Sequence, residues 1–330
     1  MTTKEKMKAI VQYKYGSPDD VLELKDIDKP VVKDDEVLVR VHAASIHVGD
    51  WVSVRGVPYI MRPVTGLLRP KNSVPGDDIA GKVEAVGKNV KQLQPGDEVF
   101  GWCNGAFAEY ACAGEDNFVP KPANLTFEQA AAVGVSAFTA LQALRDQGKV
   151  QPGQKVLING ASGGVGTFAV QIAKSFGADV TGVCSTRNVD MVRSIGADQV
   201  IDYTQEDFTQ SGQRYDFILD NVANHSLSDF RRALTPKGTL QPNAGGHSSG
   251  RWIGPMGSVI KALVLSLFVR QQGRLFLSLP NKEDLATLKE LIESGKVTPV
   301  IDRTYPLSET PEAIGYLGEG HARGKVVITV

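Results

Sequence analysis

A glycine-rich turn carries the clearest chemical signal in this sequence. It reads Ala161-x-Gly163-x-x-Gly166, and it lies between the apolar run Val156–Ile158 and a segment with helical apolar spacing, Thr167–Phe176. Such a turn between a strand and a helix binds the pyrophosphate of a dinucleotide, because glycine allows close backbone approach and the N–H groups at the helix start hold the phosphates. A flexible turn without a ligand is the alternative, and the flanking strand and helix disfavour it.

The next strand, Val180–Cys184, ends at the residues that distinguish NAD from NADP. An NAD site usually has Asp or Glu there to bind the ribose 2′-hydroxyl. Here Ser185, Thr186, Arg187 and Asn188 follow, without a carboxylate. Because hydroxyls and a guanidinium can hold a 2′-phosphate, the sequence predicts NADPH as the cofactor, with Ser185 and Arg187 at the phosphate. An arginine on a solvated loop is the alternative.

Length, charge and cysteine content limit the class of protein. The 330 residues favour two domains, and a net charge of −1 with mixed signs disfavours a nucleic-acid partner. The three cysteines show no metal or disulfide spacing, and the N-terminal residues lack the apolar stretch of a secretory signal. We therefore expect a cytoplasmic protein.

The pattern of strands and helices changes near residue 125. Before it, glycine and proline separate short β-branched runs, which predicts a small barrel-like domain over residues 1–124, with one strand beginning at Gly105–Tyr110. After it, strands alternate with helices from a helix capped by Thr126 onward, which predicts a doubly wound parallel sheet over residues 125–274. Residues 275–330 are expected to fold back onto the first domain, since a short tail cannot bury its apolar strand alone.

Two further expectations concern the second domain. Each of the strands Val180–Cys184, Gln199–Ile201 and Asp216–Asp220 is expected to follow a helix. The apolar segment Ser258–Leu279 is interrupted by basic residues, so it is too broken to span a membrane. We expect it to line the interdomain cleft or a subunit contact. A peripheral membrane contact is the alternative, since basic residues beside an apolar face suit a lipid surface.

Three motifs match those of a known family. They are Gly153-Gln154-x-x-Leu157 with Ala161-Ser162-Gly163-Gly164-x-Gly166, then Pro75-Gly76-x-Asp78-x-Ala80-Gly81-x-Val83, and finally Gly324-Lys325-Val326-Val327. With them, nearly the whole chain resembles the zinc-independent quinone oxidoreductases of the medium-chain dehydrogenase/reductase superfamily. Cys184-Ser185 and Gly196-Ala197-Asp198 make it similar to the branch that contains chloroplast envelope quinone oxidoreductase homologues and reticulon-4-interacting protein.

The resemblance implies an α/β fold with a GroES-like β-rich catalytic domain and a Rossmann domain, and NADPH bound in the cleft between them. It assigns cofactor contacts to Ser162, Gly164, Val165, Ser185 and Tyr203. Ala161, Gly163 and Gly166 of the fingerprint and Arg187, chosen for its charge, complete the candidate cofactor-binding residues. Relatives reduce quinones or the carbon–carbon double bond of α,β-unsaturated carbonyls by hydride transfer.

No metal is expected. Zinc-containing relatives have their three catalytic ligands at positions that here carry His47, Asp77 and Val133, and valine cannot ligate zinc. The sequence also lacks the four-cysteine structural lobe of those relatives. Without a Lewis acid, alcohol oxidation loses its usual stabilisation of an alkoxide. Conjugate reduction fits better, because the acceptor's own carbonyl or quinone spreads the incoming charge.

The candidate catalytic residues are His47 and Asp50. Many relatives have Asn-Pro-x-Asp where this chain has His47-Val48-Gly49-Asp50, so a histidine replaces the asparagine that would face the nicotinamide ribose. The histidine could donate a hydrogen bond to ribose or substrate, or supply the proton after hydride transfer. A positioning or packing role is the alternative.

The sequence therefore predicts an NADPH-dependent, zinc-independent oxidoreductase whose small-molecule substrate is a quinone or an enone or enal. The alternative is an NADPH-binding protein with a mainly structural or regulatory role, because a nucleotide-binding fold does not by itself ensure turnover. This role could include contact with a membrane surface. We expect a homodimer.

Overall fold

Two compact units make up the chain, of which the computed structural model describes residues 5–243, 272–273 and 277–330. Unit 1 comprises Met1–Ser136, Pro280–Glu293 and Pro299–Val330, and unit 2 comprises Ala137–Leu279 and Ser294–Thr298. The division after Ser136 lies beyond residue 124, where the change in sequence pattern had placed it.

The strands among these residues are, in chain order, β1 (Lys6–Gln12), β2 (Leu22–Asp28), β3 (Glu36–Ile46), β4 (Asp78–Val86), β5 (Glu98–Trp102), β6 (Tyr110–Gly114), β7 (Phe118–Pro120), β8 (Lys155–Asn159), β9 (Asp179–Cys184), β10 (Gln199–Asp202), β11 (Tyr215–Asp220), β12 (Leu234–Pro242), β13 (Gln272–Gly273), β14 (Ile301–Pro306) and β15 (Lys325–Thr329). The α-helices are α1 (Pro18–Val21), α2 (Val48–Arg55), α3 (Arg62–Thr65), α4 (Phe127–Ala131), α5 (Gly134–Gln142), α6 (Gly164–Ser175), α7 (Val189–Ser194), α8 (Leu227–Ala233), α9 (Lys282–Glu293) and α10 (Thr310–Gly318).

Unit 1 is built on a seven-stranded mixed sheet in the order β14-β15-β3-β4-β5-β7, with β6 paired to β3. The C-terminal strand β15 pairs antiparallel with β3, with Val326 opposite Ile46. A core of buried aliphatic and aromatic side chains, among them Val39, Phe107 and Ile328, lies against this sheet. The first and last parts of the chain therefore share one hydrophobic core.

Unit 2 contains a six-stranded sheet in the order β10-β9-β8-β11-β12-β13. Every pairing in it is parallel. Val156, Leu157 and Ile158 of β8 are fully buried, as expected for a parallel strand covered on both faces. The strand order reverses between β8 and β11, which is where doubly wound sheets bind nucleotides. The predicted α/β class is confirmed.

Local signals placed several elements correctly. The hydroxyl of Thr126 accepts a hydrogen bond from the Gln129 N–H, and the Gln129 side chain accepts one from the Thr126 N–H, so α4 begins with the expected cap. The glycine-rich turn leads directly into α6, which begins at Gly164, three residues before the predicted start at Thr167.

Two elements differ from the sequence-based expectation. No strand begins at Gly105, since Gly105 and Ala106 instead donate backbone hydrogen bonds to the Gly76 carbonyl, and β6 starts only at Tyr110. Residues 203–214, before β11, form turns and no helix. The polar segment there is held by side-chain bonds, such as those from Thr209 to Asp207, rather than by a helical ladder.

The apolar segment Ser258–Leu279 lies almost entirely outside the described residues. Within the described part of the chain, no helix combines the length and the apolar character needed to cross a membrane.

A buried ion pair connects separate parts of unit 1. The Lys325 ammonium lies 3.2 Å from Asp78 Oδ2, and the two side chains are 1% and 0% exposed. Asp78 also accepts hydrogen bonds from the Ser45 hydroxyl and from the N–H of Val135 at the start of α5. Lys325 in turn donates to the Ser136 hydroxyl. The pair therefore joins β15 to β3, β4 and α5, which explains why residues up to 136 belong to unit 1.

We predict that Lys325→Met destabilises unit 1 by about 3–5 kcal/mol, because it leaves the Asp78 carboxylate buried without its cation. The control Lys6→Met breaks the exposed ion pair of Lys6 with Asp28, in which the two side chains are 60% and 43% exposed. It should lower the free energy of unfolding by less than about 1 kcal/mol. Urea unfolding measures both. The double variant Asp78→Asn/Lys325→Met should recover part of the loss. Equal costs for the two lysine variants would contradict the assignment.

Candidate functional site

The glycine-rich turn of unit 2 has two backbone positions that a side chain would disturb. Gly160 adopts a left-handed conformation with φ of +79° and makes the tight turn after β8. A Cβ at Gly166 would lie 2.1 Å from the Gly160 carbonyl oxygen, so only glycine lets α6 approach the strand this closely. Gly160 thus takes the role of the first glycine, which the sequence pattern had assigned to the position of Ala161.

The predicted phosphate-binding residues do not all present their N–H groups to a ligand. Ala161 is fully buried, and its N–H donates to the Val183 carbonyl, so it serves packing of the turn against β9. Gly163, Gly164 and Val165 are partly exposed. The N–H groups of Gly164, Val165 and Gly166 belong to the first turn of α6, where a helix offers them no internal partner. These three N–H groups can hold a phosphate.

Asn188 connects the glycine-rich turn to the tip of β9, a role that sequence reasoning missed. Its side-chain amide lies 3.1 Å from the Ser162 hydroxyl and 3.2 Å from the Ser185 hydroxyl. Asn188 is 4% exposed, yet its Oδ1 atom has no hydrogen-bond partner. A buried amide oxygen without a donor indicates a place where a ligand or water completes the hydrogen bonding. The signal in the sequence was its position within the polar run after β9.

The tips of β9 and β10 form the surroundings of the predicted 2′-phosphate site. Arg187 is exposed on a short 3₁₀ turn after Ser185, and Tyr203 is 59% exposed while its N–H donates to the Cys184 carbonyl. The structure adds a carboxylate that the sequence had not suggested for this place, Asp202. Hydrogen bonds to Thr186 and Thr204 lower the pKa of Asp202, so it is ionised.

The candidate catalytic residues lie together in unit 1. The Nε2 atom of His47 is 3.3 Å from Asp77 Oδ2 and 3.5 Å from Asp50 Oδ2. Asp50 also accepts a hydrogen bond from the His47 N–H at the start of α2, with a distance of 2.8 Å. His47 Nε2 is buried and makes no aligned hydrogen bond, so the two carboxylates contact it as charges. Asp50 is 3% exposed and Asp77 is 46% exposed.

The charges in this cluster shift the titration of both groups. Burial alone would lower the pKa of His47, but the carboxylates of Asp50, Asp77 and Asp78 outweigh burial and raise it to about 9. Burial raises the pKa of Asp50 to about 7, against the opposing effect of the His47 charge. His47 is therefore protonated at neutral pH, which a proton donor requires.

Gly49 makes room for the imidazole. A Cβ at Gly49 would lie 2.6 Å from His47 Cε1 and 2.7 Å from His47 Nδ1, closer than any real contact. The observed position of the His47 ring therefore requires a residue without a side chain at position 49. The sequence alone did not reveal this dependence.

The cluster of His47, Asp50 and Asp77 offers three ligand atoms, as many as a catalytic zinc site takes from the protein. One ligand atom each from His47, Asp50 and Asp77 lies within 4.8 Å of the others, a spacing that a single cation could share. Sequence reasoning counted only His47 and Asp77 as possible ligands, since Asp50 is not at a family ligand position. Val133 is fully buried and cannot ligate. The donors present are one imidazole and two carboxylates, and zinc sites use both types.

Two family models match separate parts of the chain. Residues 33–123 match the model described as "Alcohol dehydrogenase GroES-like domain", and residues 195–328 match "Zinc-binding dehydrogenase". The mouse (Mus musculus) mitochondrial NAD(P)H oxidoreductase RTN4IP1 is 35% identical, over 98% of this chain and 89% of its own length. The chain belongs to the medium-chain dehydrogenase/reductase superfamily. Its resemblance to the quinone oxidoreductase branch is confirmed.

Two other members of the superfamily show the range of named activities. The 2-methylene-furan-3-one reductase of Solanum lycopersicum is 35% identical over 98% of this chain and 79% of its own length. The solved structure of the quinone oxidoreductase from Coxiella burnetii has a TM-score of 0.86 and 29% identity, covering 99% of this chain and 100% of that one. These relatives are oxidoreductases by name, which supports an oxidoreductase activity for this chain.

We predict that Gly49→Ala folds normally but turns the His47 imidazole away from Asp77, because the new methyl group would overlap the ring. The pKa of His47 should then fall from about 9 toward its ordinary value of about 6.5. NMR titration of the histidine ring protons measures this, with His47→Asn identifying the signal. The matched control is Gly315→Ala in α10, where a Cβ meets nothing within 4 Å. An unchanged His47 titration in Gly49→Ala would refute the steric coupling.

Proposed function

We propose that this protein is an NADPH-dependent reductase that transfers hydride to a quinone or to the carbon–carbon double bond of an α,β-unsaturated carbonyl, with His47 as the proton donor. The observation that carries the proposal is the buried imidazole between Asp50 and Asp77, which is protonated at neutral pH. The names of two relatives, a quinone oxidoreductase and a furanone reductase, support the two acceptor classes.

The chain's own residues supply binding and a proton, while NADPH supplies the hydride when bound. The N–H groups of Gly164, Val165 and Gly166 would hold the pyrophosphate, and Ser185 and Arg187 would hold the 2′-phosphate. The open oxygen of Asn188 would accept a hydrogen bond from the bound coenzyme.

His47 completes the reduction. Hydride supplied by bound NADPH would reach the electron-poor carbon of the acceptor, which would leave negative charge on the carbonyl oxygen. The imidazolium of His47 donates a proton to that oxygen or to the α-carbon, and regains a proton from water. Asp50 and Asp77 hold the ring in place and stabilise its charge before the transfer.

We predict that turnover of enones and quinones is constant between about pH 7, the pKa of Asp50, and about pH 9, and falls roughly tenfold per pH unit above pH 9. His47 has a pKa raised to about 9, so the acid form is present below that pH and is lost as the pH rises through it. His47→Asn should lower kcat by about 100-fold and remove this alkaline limb, while NADPH affinity remains. The measurement is kcat against pH for both proteins.

Two results would count against this proposal. An alkaline limb that persists in His47→Asn would exclude His47 as the acid. A lack of NADPH oxidation across a panel of quinones, enones and enals, with NADPH binding intact, would favour the structural or regulatory role instead.

Zinc independence is part of this proposal. A zinc ion held by His47, Asp50 and Asp77 would act as a Lewis acid on the acceptor carbonyl. In the proposed mechanism the His47 proton takes that role. The proposal therefore expects substoichiometric zinc by elemental analysis of the active protein and full activity after chelation. One zinc per chain, with activity lost on its removal, would overturn it.

The choice of NADPH over NADH is tested at Arg187 and Ser185. Arg187→Ala should lower kcat/KM for NADPH about tenfold and leave NADH almost unchanged, because only NADPH has the phosphate that the guanidinium would bind. Ser185→Asp should reverse the preference by repelling the phosphate. Arg193→Ala, an exposed arginine farther along on α7, is the control. Equal losses with both coenzymes in Arg187→Ala would show that this residue does not recognise the phosphate.

A further inference from the structure

Four large apolar side chains are exposed within nine consecutive residues of unit 1. Ile60 is 45% exposed, Val64 71%, Leu67 69% and Leu68 86%. Nowhere else among the described residues do more than two such side chains fall within nine positions. Scattered exposed apolar residues are ordinary, whereas a cluster marks an interaction site. We call these four side chains the Ile60–Leu68 surface.

The backbone beneath this surface is held in place. The Arg62 guanidinium lies over the rings of Tyr15 and Tyr59, 4.8 and 4.6 Å from their centres, and Arg62 Nε donates to the Gly56 carbonyl at 2.9 Å. The Tyr15 hydroxyl donates to the Gly66 carbonyl. These contacts support the backbone that carries the four apolar side chains, so little ordering of this backbone is needed when a partner binds.

The charged residues within the sequence stretch that carries the Ile60–Leu68 surface have one sign. No Asp or Glu occurs from Trp51 to Gly76, whereas that stretch contains four basic residues in a chain whose net charge is −1. Of the four, Arg55, Arg69 and Lys71 are exposed. Aliphatic side chains flanked in the sequence by basic residues complement a surface that carries negative charge at its boundary and is apolar beneath it.

We propose that the Ile60–Leu68 surface docks this protein onto an anionic lipid bilayer. The leucine and valine side chains enter the boundary between headgroups and acyl chains, and Arg69 and Lys71 contact lipid phosphates. Docking of this kind needs neither a spanning helix nor the coenzyme. It is independent of the proposed function and of the acceptor.

The test is co-sedimentation of the full chain with vesicles of phosphatidylcholine alone or with added phosphatidylserine. We expect binding to the anionic vesicles to be at least tenfold stronger, and to weaken with salt. Leu67→Ser/Leu68→Ser should lower binding at least tenfold. Arg69→Glu/Lys71→Glu should lower it by a similar factor, since each basic residue near an anionic membrane contributes about fivefold in affinity.

Matched controls separate the site from general stickiness. Val31→Ser removes an isolated side chain that is 80% exposed, and Arg214→Glu/Lys237→Glu makes the same change in net charge on exposed residues of unit 2. Both should bind vesicles like the unaltered protein. Circular dichroism and urea unfolding of every variant verify that both units are folded.

Three outcomes would overturn the proposal. One is no preference for anionic vesicles, and another is equal loss of binding in the control variants. The third is a dimer in sedimentation that Leu67→Ser/Leu68→Ser dissociates while vesicles are not bound, since a second copy of the chain would then cover this surface.

Discussion

The buried carboxylate of Asp78 is the constraint on which unit 1 depends. It accepts hydrogen bonds from Ser45 and Val135 and pairs with Lys325, so strands from both ends of the chain meet at one charge. A charge with no exposed surface is tolerable only when every partner is in place. The fold of unit 1 therefore depends on the C-terminal strand β15, which supplies the cation for Asp78.

The same charge contributes to the chemistry next to it. Asp77, one residue earlier and half-exposed, contacts His47, and the field of Asp78 reaches the same ring. Three carboxylates near one imidazole outweigh the cost of burying a cation, so the ring keeps its proton. The stability of unit 1 and the charge of His47 therefore depend on adjacent residues, Asp78 at the start of β4 and Asp77 just before it, and changes at Asp78 are expected to affect both.

In the candidate coenzyme site of unit 2, one side chain connects two separate loops. The Asn188 amide lies within hydrogen-bonding distance of Ser162 in the turn and of Ser185 at the β9 tip, so one side chain connects the two halves of the site. Asp202 places a negative charge near the predicted phosphate position, but hydroxyl donors surround it. Asp202 and Arg187 therefore bring opposite charges to the tips of β10 and β9.

The sequence by itself determined the features that depend only on residues a few positions apart in the chain. The strand, turn and helix around Gly163 and the Thr126 cap follow from local backbone rules, and the parallel α/β class follows from their repetition. Tertiary structure alone decided that Asp50 joins His47 and Asp77, and that Lys325 neutralises Asp78. Those contacts are made by strand pairing between residues far apart in the chain, and no local pattern encodes which distant partners will meet.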